Sequence, residues 1–207
     1  LMEPVITGWN RLLKRFFDLA FSSLALLATA PIFVIIALAI RLESPGPVIF
    51  RTKRIGDAGK TFTMYKFRSM IEGAPDFLDT VPVLDIKSRP IYKLKDDPRI
   101  TRVGRFLRRW SLDELPQLIN VLKGDMSMVG PRPEQPFITK QYEPWQWQRI
   151  QVPPGITGWW QVHGRSELPM HLNTQLDIYY VANYSMILDI KILFLTIFEV
   201  IKGRGAY

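Results

Sequence analysis

A chain of 207 residues that is 47% hydrophobic can bury a core of its own, which excludes an intrinsically disordered protein. Its net charge of +8 indicates an anionic partner, whether phosphorylated substrates, an acidic membrane surface or nucleic acid. The absence of cysteine excludes disulfides, cysteine-ligated zinc and a thiol nucleophile, and the two histidines, His163 and His171, argue against a multi-histidine metal site. A hard metal ion bound by oxygen ligands stays open.

One apolar segment near the N-terminus is long enough to enter a membrane. Leu19–Ile40 runs 22 residues without a charge, enough to cross the hydrocarbon core as a straight helix. Pro31 lies near its middle, where proline breaks or kinks a helix. Basic residues flank both sides, whereas a spanning helix carries them mainly on its cytoplasmic side. The flanking residues are Arg11, Lys14 and Arg15 before the segment, and Arg41, Arg51, Lys53 and Arg54 after it. The pattern favours a re-entrant hairpin that turns at Pro31, with a proline-kinked span as the alternative.

The rest of the chain predicts a small soluble domain. We divide the sequence into 1–45, the basic N-terminus with the re-entrant membrane helix, and 46–207, a small second domain. The overall prediction is an α+β fold, mostly helical, in which the second domain carries interfacial amphipathic helices.

Within the predicted domain, short strands come before helices. Val48–Phe50 and Lys60–Phe67 alternate like strands, and Asp57–Gly59 between them predicts a hairpin turn. Residues 72–98 are polar and contain four prolines, which is typical of a loop. Leu188–Val200 is too short to span a membrane, so it packs on the domain or lies at the interface.

Basic residues recur at every third position on an amphipathic segment that begins near residue 99. These are Arg99, Arg102, Arg105 and Arg108, with Arg109 beside the last. A solvated basic face is the simpler interpretation of most of them. Close to a membrane, such a face also attracts lipid phosphates, at about 1 kcal/mol per residue.

An acidic pair follows at the predicted start of a helix. Ser111 and Glu114 have the spacing of a capping box, and Pro116 is tolerated only near a helix start, which keeps Asp113 in the first turn. A purely structural capping role is one interpretation of the pair. The same helix terminus would also bind a phosphate, and a carboxylate beside Mg²⁺ can bridge the metal to a diphosphate.

A loop rich in glycine and proline, Gly124–Pro133, comes soon after the acidic pair. We expect the helix to end at Lys123 and the loop to return toward the helix start. That path would aim Arg132 at the acidic pair, where its guanidinium could hold a phosphate with two parallel hydrogen bonds.

These segments resemble the monotopic phosphoglycosyl transferases, the bacterial sugar transferase family that includes undecaprenyl-phosphate sugar phosphotransferases. The resemblance covers nearly the whole chain, from the proline-broken apolar hairpin onward. The matching blocks are Tyr65–Met70, Asp97–Arg109, Ser111–Ser127, Gly130–Pro133, Pro154–Gly158, Gln161–Arg165 and Leu188–Lys191. One departure is Ala30 before the hairpin proline, where the family often has serine.

The resemblance implies a two-step reaction. Asp113 matches the nucleophile that attacks the β-phosphate of a UDP-sugar, releasing UMP and leaving a sugar phosphate on the aspartate. Polyprenyl (undecaprenyl) phosphate then takes the sugar phosphate, the first membrane step in assembling a bacterial glycoconjugate. Glu114 matches the partner carboxylate, and Asp113 also matches the Mg²⁺ ligand. Lys66, Arg108, Arg132 and Arg165 match positions that bind substrate phosphate, and Asp189 matches an orienting position.

The resemblance also implies a location and partners. We expect a monotopic protein in contact with phospholipid on the cytosolic face of the bacterial inner membrane, with no nucleic-acid partner. The sequence leaves open which sugar is transferred and whether the chain forms a homodimer. The principal alternative is a non-catalytic, membrane-anchored binder of anionic lipid or nucleotide-sugar, in which Asp113 and Glu114 only cap a helix.

Overall fold

The computed structural model describes residues 6, 8–73, 83–84, 90–91, 97–164 and 173–202, and it is a mostly helical α+β fold as predicted. The helices are α1 Gly8–Glu43, α2 Arg102–Arg109, α3 Gln117–Lys123, α4 Pro136–Thr139, α5 Trp159–Val162, α6 Thr174–Ala182 and α7 Met186–Lys202. The strands are β1 Ile49–Ile55, β2 Thr61–Phe67, β3 Val83–Leu84, β4 Pro90–Ile91, β5 Ser127–Val129 and β6 Gly155–Thr157. Short 3₁₀ helices occur at Asp57–Gly59, Leu112–Glu114 and Pro144–Ile150.

Helix α1 contains the whole apolar segment. It has 36 residues, about 54 Å at the usual rise per residue, and Pro31 lies inside it. Of the helices in the described ranges, α1 alone is long and apolar enough to cross a membrane. The helix continues through Pro31, so the re-entrant turn stays a prediction. The hydroxyls of Ser22 and Thr29 donate to the carbonyls four residues earlier, Asp18 and Ala25, a contact that bends helices.

Both ends of α1 are buried against the domain, whereas its middle contacts the domain only in part. Lys14, Asp18 and Ser22 are buried at one end, and Ile36 and Ile40 at the other, but no residue from 23 to 35 is buried. Leu24, Leu27, Ile32, Val34 and Ile35 of the middle are exposed, which suits a lipid environment better than water.

Each end of α1 is held by polar contacts as well as by packing. Near the start, Lys14 Nζ lies 2.6 Å from Asp189 Oδ2 of α7. At the end, Glu43 accepts hydrogen bonds from the backbone N–H groups of Arg102 and Val103, and so caps α2 from outside. The guanidinium of Arg68 donates to the carbonyls of Ser44 and Pro45, just beyond the helix C-terminus.

Strands β1 and β2 form the antiparallel hairpin that the sequence predicts, with the turn at Asp57–Gly59. Ala58 and Gly59 have positive φ angles of 51° and 76° in that turn. The register pairs Arg54 with Phe62 and Phe50 with Lys66, and directly paired residues share one face of a sheet. The region predicted as a loop, 72–98, also contains a short antiparallel ladder between β3 and β4.

Two further strands, β5 and β6, are parallel and lie beside the loop that carries Arg132. The backbones come very close here, because a Cβ atom on Gly155 would lie 2.1 Å from the amide nitrogen of Gly130. Only glycine fits at such a distance, so this contact fixes where the Gly130–Pro133 segment leaves β5.

Three apolar clusters hold these elements together. The end of α1 packs with Phe67 and Leu107, the hairpin packs with α3 through Met64 and Val121, and β5 packs with α6 and α7. Helix α7 also leaves an apolar face exposed, formed by Ile187, Ile190, Phe194, Ile197, Phe198 and Ile201. The interfacial position of the C-terminal helix stays a prediction, with which this exposed face is compatible.

Candidate active site

The acidic pair lies in a tight turn between α2 and α3. Ser111 adopts a left-handed conformation with φ of 55°, and the 3₁₀ helix Leu112–Glu114 follows it. Pro116 occupies the position before the first residue of α3, in agreement with the prediction. The predicted capping box is wrong, because the Ser111 side chain does not cap the helix and the Glu114 carboxylate binds two cations instead. Charge-assisted bonds of that kind are stronger than a bond to a neutral backbone group.

Glu114 is held from two sides. Lys66 Nζ lies 2.7 Å and Arg132 Nη2 lies 2.9 Å from the same oxygen, Oε1. The prediction that the loop after α3 returns to the acidic pair is therefore confirmed. Burial would raise the pKa of Glu114, but the charges of Arg132 and Lys66 outweigh it and hold the pKa well below its usual range. Glu114 therefore stays ionised at any physiological pH.

Asp113 differs from Glu114 in the partners of its carboxylate and in the direction of its pKa shift. Its side chain is 11% exposed, and its nearest cation, Lys66 Nζ, is 3.9 Å from Oδ2. Within the described ranges, no hydrogen bond is made to its carboxylate. Burial raises the pKa of Asp113, Lys66 opposes that effect, and the negative charge of Glu114 adds to it. Asp113 is thus a largely buried, weakly solvated carboxylate whose oxygens accept no hydrogen bond from the described residues, which are properties that suit a nucleophile.

Arg108 approaches the pair from α2. Its Nε donates to the hydroxyl of Ser69 at 2.9 Å, and its positive charge acts on Asp113. Burial lowers the pKa of Arg108. Helix α2 is capped at its start by the Thr101 hydroxyl, which accepts from the Gly104 amide. The structure therefore brings Lys66, Arg108 and Arg132, from three separate elements, around Asp113 and Glu114.

A buried hydrogen-bond network around Arg149 holds the backbone of Arg132. Arg149 is fully buried, and its Nη2 donates to the backbone carbonyl of Arg132 at 2.7 Å. The same guanidinium is paired with Asp177 of α6 and donates to the hydroxyl of Tyr142 at 2.6 Å. No sequence pattern predicts this network, because its members are far apart in the chain and only the fold brings them together.

Arg54 is a further cation near the site, although the sequence analysis predicts only that it is one of the charges flanking the apolar segment. Arg54 lies on the same face of the hairpin as Lys66, and its Nε is buried with no partner among the described residues. Burial and the nearby charge of Arg132 lower the pKa of Arg54 to about 10, although Glu134 and Glu114 act in the opposite direction. The signal that could have identified it is the two-residue alternation of the hairpin, which places residues 54 and 66 on one face.

One residue that the sequence analysis assigns to substrate, Asp189, does not join this cluster. Asp189 is fully buried, and its carboxylate contacts Lys14 at 2.6 Å and the Tyr180 hydroxyl at 2.7 Å. It therefore fastens α1 to α7 in this arrangement, and a direct contact with substrate is closed to it. Arg165, like His171, lies outside the described residues. His163 stacks on Trp159 with ring centroids 4.0 Å apart.

The site is compatible with a magnesium ion that is shared with substrate. In the described part of the chain, no group of three or more carboxylates and imidazoles forms a metal cage. Mg²⁺ commonly needs only one or two carboxylates, because waters and substrate phosphates complete its shell. The uncommitted oxygens of Asp113 suit that role, whereas the bonded oxygen of Glu114 does not.

A cavity of about 280 Å³ opens beside Glu114, on the side toward α1 and α7. Its lining residues are Ala25, Trp110, Ser111, Leu112, Glu114, Leu115, Leu118, Met128, Ile156, Thr157, Gln161, Val162, Thr196, Glu199 and Val200. Most of these side chains are apolar. Asp113 and Glu114, called the dyad below, therefore lie between the cationic cluster of Lys66, Arg108 and Arg132 and an apolar cavity.

Comparison with known sequences places the chain in a family. The sequence model of the bacterial sugar transferase family matches residues 9–203. This chain belongs to the bacterial sugar transferases. The match runs from the start of α1 to the end of α7, so both fastened helices are part of the family's common unit.

Individual relatives differ in length. The chain is 43% identical to the UDP-glucose:undecaprenyl-phosphate glucose-1-phosphate transferase of Escherichia coli K12, covering all of this chain and 44% of the relative. It is 41% identical to the undecaprenyl-phosphate galactose phosphotransferase of Salmonella typhimurium, over 96% of this chain and 42% of the relative. The exopolysaccharide production protein ExoY of Sinorhizobium fredii is 38% identical, over 94% of this chain and 88% of the relative. The chain thus spans about two fifths of the first two relatives and most of the third.

Proposed function

We propose that this chain transfers a sugar 1-phosphate from a UDP-sugar to polyprenyl phosphate, with Asp113 as the nucleophile. The observation that carries the proposal is the difference between the two neighbouring carboxylates. Both carboxylates are largely buried, but Glu114 is bound by Lys66 and Arg132, whereas Asp113 makes no hydrogen bond within the described ranges. Two relatives are named as transferases of glucose 1-phosphate or galactose phosphate to undecaprenyl phosphate. These names support a UDP-sugar donor and a polyprenyl phosphate acceptor.

In the first step, an oxygen of Asp113 attacks the β-phosphorus of the UDP-sugar. The bond from that phosphorus to the bridging oxygen breaks, the bonding electrons leave with UMP, and the sugar phosphate stays on Asp113. Lys66, Arg108 and Arg132 offset the charge of the diphosphate, which is the main task of a protein in phosphoryl transfer.

In the second step, a phosphate oxygen of the acceptor attacks the same phosphorus. The bond to the Asp113 carboxylate breaks, which yields a polyprenyl diphosphate sugar and frees the aspartate. Glu114, which stays ionised, holds Lys66 and Arg132 in place through both steps. Mg²⁺, held by Asp113 and the diphosphate, would supply further charge neutralisation when bound.

The proposal includes a place in the cell. Helix α1 would enter the cytosolic leaflet of the bacterial inner membrane and return at Pro31 as a re-entrant, monotopic anchor, while α7 lies at the interface. The outward apolar middle of α1 and its fastening to the domain at both ends support that path. Labelling of residues 8 and 43 from opposite faces of a membrane vesicle would contradict it.

The decisive experiment is the exchange Asp113→Asn. We expect UMP release from UDP-sugars to fall at least about a thousand-fold, because an amide cannot form the acyl phosphate that the first step leaves on Asp113. Asp57→Asn, which alters a half-buried carboxylate paired with the exposed Arg11 and remote from the acidic pair in sequence, should leave the rate unchanged. A folded Asp113→Asn protein that still releases UMP would rule out the covalent step. A panel of UDP-sugars in the same assay would identify the donor.

A further inference from the structure

The cavity beside Glu114 joins the catalytic turn to the two helices that face outward from the domain. Ala25 of α1 lies on one side of it and Thr196, Glu199 and Val200 of α7 lie on another. Leu118 of α3 and Ile156 of β6 complete the inner walls. The cavity therefore extends from the dyad toward the apolar segment of the chain.

The chemistry of the walls selects the kind of ligand. Lys66, Arg108 and Arg132 surround the dyad but do not line the cavity. A nucleotide or a sugar in a mainly apolar cavity would leave many of its polar groups without partners, which is unfavourable. A hydrocarbon chain has no such groups, and its removal from water is favourable.

We infer that this cavity holds the isoprene units next to the phosphate of the polyprenyl acceptor. This inference rests on the proposed function and adds to it the place of the acceptor's tail. The acceptor has an anionic head and an apolar tail, and the structure offers a cationic cluster and an apolar cavity that meet at Glu114. A phosphate seated by Arg132 and Lys66 has its tail directed into the cavity, and the tail continues along α1 into the bilayer.

The test fills the cavity and separates the two half-reactions. Ala25→Trp and Val200→Trp add bulk at the cavity wall. Their matched controls are Ala28→Trp on α1 and Ile201→Trp on α7, two positions that are exposed and do not line the cavity. Exchange of labelled UMP into UDP-sugar needs only the first half-reaction, whereas product formation with polyprenyl phosphate needs both.

In the full chain in nanodiscs, the filled variants should keep UMP exchange within about twofold of the unmodified chain. They should lose at least tenfold in transfer, through a raised KM for the acceptor, while the controls keep both activities. Normal transfer by both filled variants would overturn the inference and leave the proposed function intact. Absence of UMP exchange in the unmodified chain would instead overturn the proposed function, and the inference with it.

A second measurement does not depend on variants. A polyprenyl phosphate with a photoreactive diazirine on its first isoprene unit is mixed with the unmodified chain and irradiated. Crosslinks to the segments that contain Leu118, Ile156 or Val200 would support the inference. Crosslinks confined to the exposed face of α7, at Ile190 and Phe194, would contradict it.

Discussion

At the scale of single residues, the site is defined by the different surroundings of two adjacent carboxylates, Asp113 and Glu114. Glu114 is bound by two cations and has a depressed pKa, while burial raises the pKa of Asp113 and leaves its oxygens uncommitted. The same turn therefore supplies a permanent anion, which organises the cations, and a carboxylate whose reactivity depends on pH.

The pH dependence of UMP release follows from that difference. Asp113 must be ionised to attack, so the rate falls as the pH falls through its raised pKa, above the range of an ordinary aspartate. Lys66→Met removes the cation that lowers this pKa, so the acid limb of the pH–rate profile should move to higher pH. Lys60→Met, an exposed lysine beside the hairpin turn, is the control. A shift of the acid limb to lower pH would contradict the assignment.

Arg54 should matter for substrate more than for stability. Its guanidinium is buried near Arg132, a like charge, and that repulsion is relieved when an anion binds between them. We expect Arg54→Gln to raise the KM for UDP-sugar about tenfold, with Tm unchanged or higher. Arg51→Gln changes an exposed arginine on the same strand and serves as the control. A lower Tm with an unchanged KM would indicate that Arg54 is only structural.

At the scale of elements, the close contact between α2 and the chain after β2 sets the position of Arg108. Gly104 lies where a Cβ atom would be 2.0 Å from the carbonyl oxygen of Ser69. Ser69 is also the residue whose hydroxyl accepts from Arg108 Nε at 2.9 Å. The helix can approach this closely only because residue 104 has no side chain.

Gly104→Ala tests that contact. Alanine is intrinsically better than glycine inside a helix by about 1 kcal/mol. The clash with backbone atoms should outweigh that gain, because overpacking costs about 1–3 kcal/mol and displaces Arg108. We expect a lower Tm and slower UMP release, whereas Arg105→Ala on the exposed side of α2 should leave both nearly unchanged. A stabilised Gly104→Ala protein would show that α2 can move away without loss.

The sequence predicts the local features of the fold and of the site better than it predicts contacts between distant residues. The β1–β2 hairpin, the position of Pro116 and the return of Arg132 to Glu114 depend on turn chemistry and short spacings, so they could be predicted. The pairing of Lys66 with Glu114 and of Lys14 with Asp189 joins residues 48 and 175 positions apart, and no local pattern reports such contacts. The predicted capping box was wrong for the same reason, since distant cations bind the Glu114 carboxylate.

At the scale of the whole molecule, the buried ion pair between Lys14 and Asp189 joins the membrane helix to the C-terminal helix. Both side chains are at most 3% exposed. Tyr180 donates a further hydrogen bond to Asp189, and so helps to compensate for the burial of its charge. The pair lies at the opposite end of α1 from the contact between Glu43 and α2.

Removing one side chain of the Lys14–Asp189 pair should lower the free energy of unfolding strongly. Lys14→Met leaves Asp189 buried without its cation, and we expect a loss of about 3–5 kcal/mol in the free energy of unfolding. The double exchange Lys14→Met with Asp189→Leu should recover most of that loss. Arg11→Met breaks an exposed pair with Asp57 and should cost no more than about 1 kcal/mol. Thermal unfolding in detergent micelles measures all three, and equal losses for Lys14→Met and Arg11→Met would contradict the burial argument.

The fastening of α1 at Lys14 and at Glu43 makes its length matter more than its composition. Exchanging one apolar side chain for another between these points leaves both contacts in place. Inserting or deleting a single residue rotates one contact by about 100° against the other and moves it by about 1.5 Å. The number of residues in α1 therefore sets the spacing and relative orientation of the two contacts, and a library of such variants should accept many substitutions but no change of length.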